Sequence, residues 1–301
     1  MNAYIPGIYP RSDALVQATR DLDRGRTSPD VVEERFASEL EELVAVQERA
    51  GLDLLSDGML RWQDLFRPLV DSSQGLDARP LTRFLDTNTF YRAVLVKGEP
   101  RLREPLAPPE LPAARWLATL PSPLAFARAA GGMVSAQALA ANVLAPQIEA
   151  YASAGCALLV LSDPFVARDG GVDELVAALR EVPDSVPLAL QLPFGDAALV
   201  LERLADAPID AIGVDFYATG LDGVPDDFPK EIVAGVVDSR SSVLEDPDEV
   251  VRFAEDLLQR NPVGISLSVN GDLQFVPEPI AREKVARLGR ARAALREVVV
   301  A

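Results

Sequence analysis

Short apolar runs of strand length recur along the chain, separated by longer stretches whose apolar residues keep helical spacing. The runs are Tyr4–Tyr9, Leu52–Asp57, Trp116–Leu120, Ala157–Leu161, Pro187–Leu192, Ala211–Phe216, Ile232–Asp238 and Gly264–Val269. Such alternation predicts a parallel α/β architecture. Ala157–Leu161 is apolar throughout, as suits a strand covered on both faces. Ser28 and Pro29 start a long helix and Gly51 follows its last turn, so Pro29–Ala50 reads as one amphipathic element. Val31, Val32, Phe36, Leu40, Leu43, Val44 and Val46 keep helical spacing, so one face is expected to pack inward while Glu33, Glu34, Glu41 and Glu42 stay solvated. Asp246 and Pro247 start another helix that ends near Arg260.

Eight strands with helices between them are most economically arranged as a closed (β/α)8 TIM barrel, with a doubly wound open sheet as the competitor. The barrel is favoured because no Gly-x-Gly-x-x-Gly follows the first strand. The chain is expected to be one domain over 1–301. Residues 71–112 break the alternation with an extended run, Phe90–Val96, and then Pro105, Pro108, Pro109 and Pro112. They read as a long insertion over the barrel mouth, between the second and third barrel strands.

Composition narrows the function more than the fold. A net charge of −17 repels nucleic acid and anionic membranes, so no nucleic acid and no membrane partner is expected. The first ten residues lack signal-peptide character and no apolar run approaches the ~20 residues of a membrane span, which predicts a cytoplasmic protein. There is no histidine, and the one cysteine, Cys156, opens a strand, where a small buried hydrophobe is expected.

The reacting groups of such barrels sit past the C-terminal ends of the strands. Those positions carry Pro6-Gly7-Ile8-Tyr9-Pro10, Asp57-Gly58-Met59 with Arg61, Asp86 to Arg92, Ser162-Asp163-Pro164, Val237 to Ser241, and Val269-Asn270-Gly271-Asp272. In this order, from about Ile5 to Leu295, the series resembles the catalytic C-terminal barrel of cobalamin-independent methionine synthases. The resemblance implies a TIM barrel and, for the family, a zinc ion held by a His-x-Cys pair, a glutamate and a second cysteine. That zinc binds homocysteine as a thiolate, which takes a methyl group from methyltetrahydrofolate. In this chain the His-x-Cys pair falls on Gln191 and Pro193, the glutamate on Asp215 and the second cysteine on Leu273. The two carboxylates that hold the homocysteine amine fall on Met59 and Ser162, the serine of the first motif on Ile8, and the proton-handling histidine on Arg240. No metal site is therefore assigned, zinc is not expected, and a folate is the one cofactor the resemblance leaves open.

What remains at the strand ends is a set of carboxylates and arginines. Asp57, Asp163, Asp215 and Asp238, with Arg240, are candidate catalytic groups, and Asp272 stands with them. Arg11, Arg61, Arg92, Gln191, Tyr217 and Asn270 are candidate substrate-binding groups, because arginine forks suit carboxylate or phosphate ligands. Each also has a plainer reading as a loop anchor or ion-pair partner. A hard cation among the aspartates has no spacing motif to support it. Trp62, Phe66, Tyr91, Phe126, Phe194, Phe216 and Tyr217 could stack on a pterin or simply pack the core. The expected function is a divergent, zinc-independent enzyme acting on a small anionic or one-carbon, folate-type metabolite. Metal-free decarboxylases of porphyrin precursors, in the wider superfamily, give that chemistry a precedent. The alternatives are a non-catalytic folate or substrate binder, or an accessory subunit of a methyltransferase; a homo-oligomer or partner subunit stays open. A methionine synthase with unfamiliar ligands is the third reading.

Overall fold

The structure, a computed structural model, describes residues 1–112 and 114–300, the side chains of 297–300 excepted. Three strands precede the main series: β1 (Leu55–Ser56), β2 (Ser73–Arg83) and β3 (Phe90–Leu102). The series continues with β4 (Trp116–Pro121), β5 (Cys156–Ser162), β6 (Leu188–Leu192), β7 (Ala211–Asp215), β8 (Glu231–Val237) and β9 (Gly264–Val269). A seven-stranded sheet runs in the order β1-β4-β5-β6-β7-β8-β9, parallel at every step. Sequential order in a parallel sheet requires a crossover between each pair, and helices such as Ala145–Ser153, Val172–Leu179 and Pro247–Leu258 supply them.

The two faces of the sheet bury different things. Leu159, Leu161, Leu190, Ile212, Val214 and Ile232 join the large cluster formed with the helices. Their neighbours in sequence, Val160, Ala189, Ala211 and Val233, form a second cluster with Leu117 and Tyr4. Residues from five successive strands touching one another means that the sheet curls until this face meets itself.

The expected first strand, Tyr4–Tyr9, is not a strand. It makes one isolated bridge, Ala3 with Leu267 on β9. The segment nevertheless lies between the two edges of the sheet. The Leu267 amide donates to Asn2 O (2.9 Å) and the Asp53 amide to Ala3 O (2.9 Å). Regular pairing fails because Pro6 has no N–H, Gly7 turns at φ +76°, and side chains replace strand partners. Ser268 Oγ donates to Tyr4 O, and Gly7 N donates to Thr119 Oγ1. The expected second strand, Leu52–Asp57, shrinks to two paired residues, Leu55 and Ser56.

β2 and β3 form a separate antiparallel hairpin within the 71–112 segment. Its turn residue Phe84 packs edge-on against Phe194, just past β6, with ring centroids 6.2 Å apart. The expected helix Pro29–Ala50 is present with those bounds, and Gly51 caps it in the left-handed conformation at φ 72°. Among the described residues no helix is long and apolar enough to cross a membrane.

The helix Glu278–Val300 crosses the end of Pro29–Ala50 at Gly289, where an added Cβ would lie 1.9 Å from Ala50 O. The obstacle is backbone, so it cannot rotate away. Gly289→Ala should therefore destabilise the protein by ~1–3 kcal/mol through overpacking, despite the ~1 kcal/mol that alanine gains over glycine in a helix. Urea unfolding of this variant beside Arg290→Ala, an exposed neighbour expected to change stability by less than ~0.5 kcal/mol, checks the packing argument.

Candidate functional site

Side chains that alternate onto the self-contacting face form two tiers. Below lie the apolar residues around Tyr4; toward the C-terminal ends of the strands come Thr119, Ser162, Gln191, Asp215 and Asn270. All five are buried, so each polar atom must find a partner. Gln191 lies across the strand residue Gly213, where a Cβ would come within 2.0 Å of its Oε1. Its Nε2 donates to Asn270 O at 3.5 Å, the long end of hydrogen bonding.

Asn270 organises the ends of β7, β8 and β9. Its Nδ2 donates to Asp215 Oδ1 (2.9 Å) and to Asp238 Oδ1 (3.2 Å), and its Oδ1 accepts from Ser239 N (2.8 Å). Asp215, fully buried, also accepts from Tyr217 N (3.0 Å) and takes the Arg240 guanidinium on Oδ2 at 2.7 Å. Arg240 Nε stands 3.6 Å from Asp238 Oδ1, while its Cζ lies 4.8 Å from the centroid of the Phe194 ring. An ion pair stacked on an aromatic face in a desolvated place is rigid and costly to open. Phe194 is itself at φ +68°, a conformation that bulky L residues rarely adopt. It also packs against Phe275, 5.9 Å away.

The other candidates do not join this group. Asp163 is fully buried, accepts from Ser122 Oγ, and holds the turn after β5 through Phe165 N (3.0 Å) and Val166 N (2.9 Å). Burial pushes its carboxyl up from the ordinary range, against the lowering effect of those donors. Asp57 accepts from Met59 N (2.9 Å) in its own turn and is likewise raised by burial. Arg11, Arg61 and Arg92, expected to bind a substrate, do not come together with Arg240, the arginine that stands at the network. Arg61 pairs with Glu33 at 2.6 Å on the exposed flank of helix Pro29–Ala50. Arg92 donates to Arg79 O within the hairpin and Arg11 to Trp62 O. Long, flexible side chains anchored at strand ends find the nearest acceptor, and here that acceptor is seldom at the sheet axis.

Asp272 rises in importance. It sits directly on Gly7, accepts from Ile8 N (3.3 Å) and Gln274 Nε2 (2.9 Å), and borders the axial space together with Thr119, Ser162 and Gln191. Burial pushes its carboxyl up to about 6, where it exchanges a proton near neutral pH. The axial space itself is only ≈ 10 Å³, room for one water at most. A larger cavity of ≈ 410 Å³ opens beside the network and reaches Tyr217 and Asp238.

The donor set does not suit zinc. Of the four positions that the resemblance assigns to ligands, Gln191, Pro193 and Leu273 offer no thiolate, imidazole or carboxylate. The fourth, Asp215, has both oxygens committed to protein donors. Among the described residues, no group of three or more Cys, Asp or Glu stands where it could hold a metal ion.

No family model matches the chain. It is 22% identical to the methionine synthase of Sulfurisphaera tokodaii, across 97% of this chain and 91% of that protein. Identity to the methionine synthase of Saccharolobus solfataricus is 23%, across 97% and 93% respectively. The 5-methyltetrahydropteroyltriglutamate–homocysteine methyltransferase of Mycobacterium tuberculosis is 39% identical over 72 residues, 23% of this chain and 10% of that one. Among solved structures, a B12-independent methionine synthase from Shewanella sp. W3-18-1, in complex with selenomethionine, superposes with a TM-score of 0.72 at 16% identity, covering 92% of each chain. A putative vitamin-B12 independent methionine synthase from Listeria monocytogenes gives 0.72 at 17%, covering 98% of each. The resemblance read from the strand-end motifs therefore extends along nearly the whole chain, and the fold is that of these proteins.

Two outcomes follow from the geometry. Arg240→Ala leaves Asp215 buried without its cation and should cost about 3 kcal/mol, while Asp215→Asn in the same chain should restore a large part of it. Urea unfolding of the single and double variants measures the coupling. For Asp272, a carboxyl raised in the folded state contributes stability that is present near pH 4 and is lost as pH rises through about 6. Asp272→Asn should thus gain stability relative to the parent chain between pH 4 and 6 and keep that gain above it. A gain that does not change with pH would show that Asp272 ionises freely.

Proposed function

We propose that the protein is a methionine-synthase-like (β/α)8 barrel, with the 71–112 hairpin as an insertion over its mouth, that works without zinc on a small one-carbon, folate-type metabolite. The observation that carries this reading is the Asp215–Arg240 ion pair, whose carboxylate Asn270 also joins to Asp238. It supports a site whose positive charge is a guanidinium held by the chain. Arg240, with its side chain about one-third exposed, is the group that would meet an anionic substituent of the substrate. Asp272 is the group suited to accept or return a proton, since its carboxyl titrates near neutrality. Gln191 and Asn270 supply fixed donors and acceptors between them. Thiolate activation by a metal has no matching donor set here, and no step is built on it. Cytoplasmic location belongs to the same reading.

A second reading, a non-catalytic binder or accessory subunit, is favoured by one specific observation. The axis has ≈ 10 Å³ of free space and the network around it is satisfied internally. Access to Asp272 then requires the residues that enclose the axial space to move.

Metal analysis of the purified protein, followed by thermal-shift titration, tests the proposal. Zinc well below one equivalent, no response to homocysteine, and a rise in Tm of a few degrees with methyltetrahydrofolate are expected. Such a rise matches the ~2.7 kcal/mol that a ligand at a hundredfold excess over Kd contributes to stability. Stoichiometric zinc with homocysteine-dependent stabilisation would overturn the zinc-free reading. Folate stabilisation that Arg240→Ala abolishes, with no turnover of any one-carbon donor by the parent chain, would favour the binder.

A further inference from the structure

The ≈ 410 Å³ cavity is not the space at the sheet axis. It lies between the ends of β7 and β8 and the helix Pro247–Leu258, and its volume falls within the range of small-molecule sites. Its walls are aromatic and aliphatic: Phe216 and Phe253 meet at 4.8 Å between ring centroids, and Tyr217, Val236 and Val250 complete them. Tyr217 and Val243, both on its border, are more than half exposed, so the apolar surface continues out to the rim. Every ionisable side chain on its border apart from the Tyr217 phenol is acidic: Asp238, Glu245, Asp246 and Glu249.

Glu245 separates this arrangement from an ordinary solvated acidic run. Its side chain is only 8% exposed. One carboxylate oxygen, Oε1, accepts from Lys284 Nζ (2.7 Å) and Asp238 N (2.9 Å), with the Tyr217 hydroxyl at 3.4 Å. The other, Oε2, is buried and, among the described residues, has no hydrogen-bond partner. An ionised oxygen without a donor in a desolvated place is costly and calls for one. The cations close by have other acceptors, although Arg287 Nε is buried and, among the described residues, has no partner. Lys284 is fully buried and also donates to Val243 O, Arg287 donates to Glu245 O, and Arg240 is held by Asp215. Charges on Glu245 and Asp238 also help burial hold the Tyr217 phenol in its protonated form.

We infer that this cavity is a second ligand site, for an organic cation: a protonated amine on an aromatic or short aliphatic body. The ring or chain would lie against Phe216, Phe253 and Val250. Its ammonium would stand among Asp238, Glu245 and Glu249. An aromatic wall adds a cation–π contribution. A carboxylate or phosphate ligand would face like charge on every side. This inference does not depend on the reaction proposed for the axis.

Calorimetric titration with three probes of one shape, phenethylammonium, phenethyl alcohol and phenylacetate, tests it. Phenethylammonium should bind one per chain with a Kd on the order of 1 mM, typical of an efficient fragment, and more weakly as salt rises. The alcohol should bind at least about tenfold more weakly, and phenylacetate should not bind. Glu249→Gln, on the exposed rim, should weaken the cation severalfold, and Val250→Phe should abolish binding by filling the cavity. Unchanged Tm in Glu249→Gln separates a lost contact from a lost fold. Equal binding of ammonium and alcohol, no saturable heat with the ammonium, or binding unaffected by both substitutions would overturn the proposal.

Discussion

A carboxylate with no access to solvent must be given a positive partner, and Asp215 is such a carboxylate. The C-terminal ends of β7, β8 and β9 meet around it: Asn270 from the end of β9, the Tyr217 amide from its own turn, and Arg240 from the turn after β8. Phe194 gives the Arg240 guanidinium a face to lie on, and it does so in a backbone conformation that bulky residues rarely adopt. The strain at Phe194 and the burial of Asp215 thus belong to one construction. Removing Arg240 leaves the Asp215 charge in a medium that cannot solvate it.

This construction also explains why the axis is full. In a curled parallel sheet the inward polar tier is where chemistry is normally done, and here Gln191, Asp215, Asn270 and Asp272 are consumed by one another and by Gly7 and Ile8. The remaining acid–base capacity is concentrated in Asp272, whose lowered acidity comes from desolvation rather than from a neighbouring charge. Past the end of β6, Phe194 packs edge-on against Phe84 and Phe275 and carries the Arg240 guanidinium on its face.

Much of the sheet was legible in the sequence because apolar runs of strand length are hard to bury in any other way. The strands from β4 to β9 fall within a residue or two of the runs that predict them. The N-terminal run is the exception: hydrophobicity reports burial, not whether a backbone partner is a strand or a serine hydroxyl, and Ser266 and Ser268 supply the latter. The network at Asp215, Asp238, Arg240 and Asn270 was legible as strand-end positions. The expected convergence of Arg11, Arg61 and Arg92 was not, since position on a strand end says nothing of where a six-atom side chain leads. Glu245 carried no signal at all. In a run that includes Asp246, Asp248 and Glu249 it looks like another solvated acid, and only the fully buried Lys284, 39 residues away in sequence, distinguishes it.

The N-terminal segment has a further consequence for how the molecule comes into being. Its backbone is held by Ser266, Leu267 and Ser268, and the Asp53 carboxylate that takes the Ala3 amide is itself gripped by Arg292. Asn2 and Ser266 are 264 positions apart, so during vectorial synthesis at ~5–20 residues per second the first turn of chain waits on the order of 10–50 s for its partners. Through that interval Tyr4 and Ile5 are apolar side chains without a core, and the sheet has two open edges that a chaperone or another nascent chain can find first. Assembly of this protein is therefore decided last at the place where the sequence is read first.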